Sequence, residues 1–185
     1  MTNKMQAEFK LISPEAKILN NPLPEFKDEI LPEGFTRTKI AEDLFVAMKQ
    51  FGGIGLSANQ VGLPYRMFVM GGHPQIDLGR TRYCFNPEVL DMSKEMVMMK
   101  EGCLSFPFIF VAIKRPKWIE VQYEDEDGKV QKQHLHGMNS RIYQHENEHM
   151  NGLIFKDLVS DFKWKRAEAQ AKKTIEKLLK KQTKH

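Results

Sequence analysis

His145-Glu146-Asn147-Glu148-His149 carries two histidines four positions apart. On a helix of about 3.6 residues per turn such a pair lies one above the other on a single face. Two imidazoles so placed can hold one ion from one side. Glu146 stands one position further round, off the ligand face but within reach of a water on that ion. Two ligands and a general base within one short segment point to a metal-assisted hydrolase, with a helix at the centre of the fold. The plainer reading is two ordinary helix histidines beside a surface acid. It requires a coincidence expected in well under about one in a hundred chains of this length.

A catalytic divalent site takes a third protein ligand and keeps one position open for water. The extended pattern H-E-x-x-H-x-x-G-x-x-H is followed as far as Gly152, but its last position is Phe155, which has no ligand atom. Glu168 stands at about the distance of a downstream glutamate ligand. It sits among Lys163, Lys165, Arg166, Lys172 and Lys173, however, and reads as their solvated partner. The remaining candidates are Cys84, Cys103, His134 and His136.

Cys103 stands out by its neighbours, Glu101-Gly102-Cys103-Leu104-Ser105-Phe106-Pro107. Upstream lies Gly53-Ile54-Gly55-Leu56-Ser57-Ala58-Asn59-Gln60. Together with Gln144-His145-Glu146-Asn147-Glu148-His149, in this order and at about these distances, these segments resemble peptide deformylase. The motifs span Gly53 to Gly152. Leu11-Ile12-Ser13-Pro14 and the helical C-terminus are similar too, so the resemblance covers most of the chain.

The resemblance implies a set of roles. Cys103, His145 and His149 hold the metal, and Glu146 is the base. The Gln60 side-chain amide and the Leu104 backbone N–H stabilise the oxyanion. Ile54, Gly55 and Gly102 line the path of the substrate backbone. The implied cofactor is one divalent ion, Fe2+ as the native metal, with Zn2+, Ni2+ or Co2+ found in preparations. The implied reaction removes the formyl group from the N-terminal formylmethionine of newly synthesised polypeptides and releases formate, a step of protein biosynthesis. The implied partner is the nascent peptide, and the enzyme is expected to be a monomer. A thiolate ligand requires a deprotonated cysteine, so metal binding should weaken at low pH.

The chain departs from the family pattern in two places. The dipeptide inside the third motif is usually an apolar residue followed by aspartate, and here it is Asn147-Glu148. Glu148 is expected to take over the aspartate's supporting role with a longer arm, whereas Asn147 puts the local helix packing in question. After Pro107 the family often carries a glycine and then a polar residue or arginine near the cleft. Here the run is Phe108-Ile109-Phe110-Val111, expected to be a buried strand rather than a special binding feature.

Composition agrees with one enzyme domain. A chain of 185 residues, 41% hydrophobic, can form one sizeable core. Two cysteines nineteen positions apart do not read as a disulfide framework, and Cys84 between Tyr83 and Phe85 reads as a buried thiol. Met1 to Lys10 is polar with no apolar signal core, and no run has the length of a membrane span. The expected location is the cytoplasm.

The expected architecture is α+β, with mixed or antiparallel sheets around the central H-E-x-x-H helix and a basic amphipathic helix at the C-terminus. Periodicity predicts a first helix over Thr38 to Phe51, with Ile40, Leu44, Phe45 and Met48 on its apolar face. Strands are expected at Met67 to Met70, Tyr83 to Phe85, Met96 to Met99 and Phe106 to Ile113. Ile119, Val121 and Tyr123 alternate with polar residues, and Asp127-Gly128 turns the chain into Val130 to Leu135. The catalytic helix is expected from Met138 to Met150. The methionines are expected to be core filler, with one or two lining a substrate pocket.

The catalytic domain is expected over residues 1–160 and a basic helix over 161–185. Trp164, Ala167, Ala171, Ile175, Leu178 and Leu179 mark the apolar stripe of that helix. Its other faces carry nine Lys/Arg against three acids, a net +6 that exceeds the +4 of the whole chain. A solvated helix end accounts for this, and so does contact with a polyanion, which the resemblance implies is the ribosome.

Two other classes remain in view. A true peptidase would need a downstream third ligand. A non-catalytic protein with a closed Cys/His zinc site would need a fourth ligand from Cys84, His134 or His136, and would have no use for Glu146 and Gln60.

Overall fold

The computed structural model describes residues 8–182. Most of the polar opening at 1–10 and the last three residues of the expected basic helix lie outside them. Helix α1 spans Arg37–Gln50. Thr36 caps it, its side chain accepting from the Lys39 N–H at 3.1 Å. Gly52, at φ +73°, ends it in a conformation open to glycine.

Strands β1 (Gly55–Ser57), β2 (Met67–Gly71), β3 (Thr81–Met92), β6 (Trp118–Glu124) and β7 (Val130–His136) form a five-stranded sheet in the order β1-β2-β3-β6-β7. Strands β4 (Met96–Cys103) and β5 (Phe106–Pro116) form a separate two-stranded ribbon. Every pairing is antiparallel, so of the expected mixed or antiparallel sheets only the second kind occurs here. Helix α2 (Gly137–Met150) carries the histidine pair, and α3 (Asp161–Gln182) follows.

The five-stranded sheet is covered on both faces. Met67, Val69 and Phe85 pack with Ile40, Leu44 and Met48 of α1. Phe68, Met70, Cys84, Val121 and Leu135 pack with Ile142, Tyr143 and Met150 of α2. Successive side chains of a strand point to opposite faces, so a strand covered twice reads as a continuous apolar run. That is why Met67–Met70 shows no alternation.

Two strands run further than expected. In β3 the register shifts between Phe85 and Glu88 and again between Val89 and Asp91. Pro87 cannot donate to the ladder, and Asn86 lies at φ +48°. These breakers end the apolar signal at Phe85 while the strand bends and continues. Strand β4 runs on through Lys100-Glu101-Gly102, where Lys100 and Gly102 face outward and Glu101, buried on the ribbon's one covered face, is paired with Arg115 and Arg141.

That single covered face also corrects the expectation of a buried strand at Phe108–Val111. Val111, Ile113 and Arg115 face inward and are buried, whereas Phe108 and Phe110 are 46% and 59% exposed. The methionines likewise divide. Met48, Met67, Met70 and Met150 fill the core, while Met92, Met96, Met98 and Met138 are exposed on strand and helix faces turned outward.

Helix α2 is fixed at its middle and just beyond its C-terminal end. Tyr143 stacks edge-on against Phe68 at 5.0 Å. Its hydroxyl lies 3.3 Å from the Glu88 carbonyl and 3.2 Å from that of Gln122, next to the β3 irregularity. At the far end Gly152 adopts φ +71°, and a Cβ there would lie 2.5 Å from the Asn21 backbone. Helix α3 packs on β5 through Trp164 and Ala171, both 5% exposed, while Ile175 and Leu178 further along are exposed. The expected apolar stripe is therefore core only in its first half.

Candidate metal centre and active site

Cys103 ends β4, and His145 and His149 lie one turn apart on α2. The ligand atoms of these three buried residues all lie within 4.8 Å of one another, the one such group among the described residues. Cys103 Sγ stands 3.5 Å from His149 Nε2. The other candidates are elsewhere. Cys84 is buried in the sheet with its thiol pushed well up by burial. His134 is exposed beside Glu120 and Trp118, and His136 is exposed at the start of α2. Phe155, which stands where an extended pattern would put a third histidine, packs its ring 5.7 Å from that of His145.

Glu101 holds the first histidine. Its Oε2 lies 3.1 Å from His145 Nδ1, so an N–H at Nδ1 leaves the Nε2 lone pair for an ion. Arg115 Nε donates to Glu101 Oε1 at 2.7 Å, and Arg141 Nη1 donates to the same oxygen at 2.8 Å. Arg115 also pairs with both oxygens of Glu148. Glu148 thus supports the site through the Arg115 guanidinium. Burial works against the charge on Glu101, but the bonds from His145, Arg115 and Arg141 outweigh it and hold the carboxyl at about 2.

The two histidines differ in charge state. Burial, assisted by the neighbouring His145, pushes His149 well below its ordinary range, which suits a neutral ligand. Burial acts the same way on His145, but Cys103 and Glu101 reverse it and raise the ring to about 10. Binding a cation there releases a proton.

Glu146 is fully enclosed. Burial raises its carboxyl, the positive His145 and Arg115 offset only part of that, and it stands at about 7. Its Oε2 is buried with no protein partner. An unpartnered buried carboxylate oxygen is costly, and a water on the neighbouring ion would satisfy it. The donor set therefore fits a divalent cation: three buried nitrogen and sulfur donors, one histidine oriented by a carboxylate, and a base with a free oxygen.

Gln60 is held at both ends of its amide. Oε1 accepts from the Ser57 N–H and hydroxyl, each at 3.0 Å, so Nε2 must point the other way. Nε2 lies 3.4 Å from Cys103 Sγ and 3.0 Å from Ser105 Oγ. Leu104 occupies the turn between β4 and β5, and its Cδ1 would meet a Cβ on Gly53 at 2.7 Å. The first and second motifs thus close on the same site.

A family model described as polypeptide deformylase matches residues 15–165. The chain belongs to this family. A peptide deformylase of Novosphingobium aromaticivorans is 33% identical over 186 residues, which cover 90% of this chain and 93% of that one. One of Thermotoga maritima is 40% identical over 126 residues, 68% of this chain and 73% of that one. Among solved structures, peptide deformylase from Ehrlichia chaffeensis superposes with a TM-score of 0.79 at 32% identity, covering 94% of this chain and 99% of that one.

Within this deformylase fold, Glu101, Arg115 and Arg141 are supports that the sequence reading passed over. Glu101 stands inside the second motif, and Arg141 lies one helical turn before His145. Arg115, far from both in sequence, left no local signal. At the departure inside the third motif the helix runs on unbroken, with Asn147 Oδ1 buried and unpartnered. Gly55 has a steric role. A Cβ there would collide with Glu146 Oε1 and stand 2.9 Å from Ile142 Cγ2, at a backbone conformation that any residue can adopt. Gly55→Ala is therefore expected to displace the carboxylate without unfolding the chain. Formate release should fall by about 10²-fold, the usual cost of a misplacement near 1 Å, with metal content unchanged. Wild-type turnover in the variant would show that Glu146 tolerates the shift.

Proposed function

We propose that this chain is a metal-dependent peptide deformylase in which Cys103, His145 and His149 hold one divalent ion, Glu146 is the base, and Gln60 and Leu104 stabilise the oxyanion. The observation that carries the reading is the convergence of three buried ligand atoms beside a buried carboxylate with one free oxygen. The enzyme hydrolyses the formyl group of N-formyl-methionyl nascent peptides. When bound, the ion acidifies a water and shares the charge of the developing oxyanion.

The remaining work belongs to the chain. Glu146 takes a proton from the attacking water at its free oxygen and returns it to the leaving methionine nitrogen. Gln60 Nε2, turned inward by Ser57, exchanges the Ser105 hydroxyl for the substrate oxygen, with the Leu104 N–H as second donor. Such donors are typically worth about 3 kcal/mol each in the transition state. Ile54 and Gly55 on one side and Gly102 on the other receive the peptide as an added strand. Among the described residues β1 pairs only with β2, and β4 only with β5, so each offers an unpaired edge.

The thiolate and imidazole set suits iron or zinc, and we assign Fe2+ as the native ion. The enzyme acts as a cytoplasmic monomer, with residues 1–160 as catalytic unit and 161–185 as basic extension. Formate release from a short formyl-Met peptide, measured on protein purified without oxygen, tests the reading. Release should track metal occupancy, and release that persists after chelation would sink it.

The basic half of α3 is assigned to ribosomal RNA. Because Trp164 and Ala171 belong to the core, the informative truncation begins at residue 172. It should leave formate release from a short peptide within about twofold. Ribosome binding should weaken, and its salt slope should become shallower as phosphate contacts are lost. Unchanged binding and slope would remove the ribosomal role.

A further inference from the structure

Phe110 is a large aromatic side chain on the surface, 59% exposed, beside the metal centre. The ribbon places it opposite Gly102, one residue before Cys103. A Cβ on Gly102 would lie 2.7 Å from Phe110 Cε1 and 3.0 Å from Cδ1. The ring therefore lies across the glycine and reaches toward the far edge of β4, the edge that the peptide is proposed to join. The ladder is broken at this point. Gly102 pairs with Phe110 but Cys103 pairs with Phe106, so Pro107, Phe108 and Ile109 bulge out. Phe108 sits at φ +65°, a strained position for a bulky residue. Bulges gather next to active sites, where they re-aim side chains.

Strand geometry then says which substrate residue meets the ring. The formyl carbon must reach the group formed by Cys103, His145 and His149 on the inner side of the ribbon. The residue carrying it therefore lies level with Cys103. Successive residues of an extended chain alternate faces, so the next residue turns outward, as Gly102 does. Directly opposed residues share a face. The glycine contributes no side chain of its own, and the Phe110 ring covers that place.

We propose that Phe110 is a specificity-determining residue that favours an apolar or aromatic side chain immediately after the formylmethionine. The inference rests on the deformylase reading and on the peptide joining the β4 edge. A half-covered apolar contact of this kind corresponds to about a tenfold preference.

The test is kcat/KM for formate release from formyl-Met-X-Ser peptides with X as Phe, Leu, Ser or Glu. Metal content is measured on every protein. The wild-type enzyme should favour Phe and Leu over Ser and Glu by about tenfold. Phe110→Ala should bring that ratio close to one, and Phe110→Lys should shift the preference toward Glu. The lysine variant keeps the test decisive if the alanine variant folds poorly. A wild-type enzyme indifferent to X, or a preference that survives both substitutions, would overturn the inference. Metal-loaded wild-type protein that releases formate from none of the peptides would instead overturn the deformylase reading beneath it.

Discussion

Replacing Glu146 by glutamine is expected to leave the ion in place and to cut formate release by about 10²- to 10⁴-fold, the usual range for a lost general base. The amide has the size of the carboxyl and can stay in the space that Gly55 leaves open. It cannot accept a proton from the attacking water or return one to the methionine nitrogen. None of the three ligand-bearing side chains is altered, so metal content should match the wild type. The measurement is kcat beside metal stoichiometry on the same preparation. Full turnover by a metal-loaded variant would remove Glu146 from the reaction. Loss of the ion together with turnover would make the residue structural.

Glu101→Ala should act on stability as well as on the ion. The carboxylate neutralises a buried cluster in which Arg115 and Arg141 donate to one of its oxygens and His145 lies beside the other. Removing it leaves Arg115 with Glu148 alone and Arg141 with only the Ile113 and Val97 carbonyls, a broken buried ion pair of the kind that typically costs about 3–5 kcal/mol. Loss of such a support to a ligand histidine weakens metal binding by about 10- to 100-fold. Denaturant unfolding and a metal titration on the same variant read both effects, and a variant as stable as wild type would show that Glu148 and the two carbonyls suffice to hold the arginines. The same cluster gives a pH dependence. The Glu101 carboxyl stands at about 2 in the folded chain against an ordinary 4.5. Between those values the unfolded chain binds more protons than the native one. The contribution is therefore fully present above about pH 4.5 and is lost as pH falls toward 2. Glu101→Ala should flatten stability across that acid window.

The residues of the proposed site were legible in the sequence because they are concentrated in short segments. His145, Glu146 and His149 announce themselves by helical spacing, and Cys103 and Gln60 by segments that resemble the family's motifs. The α+β order and most strands followed from periodicity. The second half of β3 did not, since Asn86 and Pro87 read as a stop where the strand only bends. Phe108 and Phe110 misled in the opposite way. An aromatic run reads as core, and only the pairing of β5 with a single partner turns those rings outward. Arg115 was silent for a third reason. A lone arginine between Lys114 and Pro116 has no local signature, and its use appears only when β5 lays it against Glu101 and Glu148.

Trp164 adds an order of events in biosynthesis. Its ring packs 5.2 Å from Phe106 and 5.5 Å from Phe155, the residues that stand behind Cys103 and His145. Synthesis runs toward the C-terminus, so every side chain of the proposed site leaves the ribosome before this tryptophan does. A growing chain that ends short of it carries every residue of the proposed site but lacks the ring that packs against both Phe106 and Phe155. The hydrophobic backing of the site is thus completed only after the residues it supports have emerged.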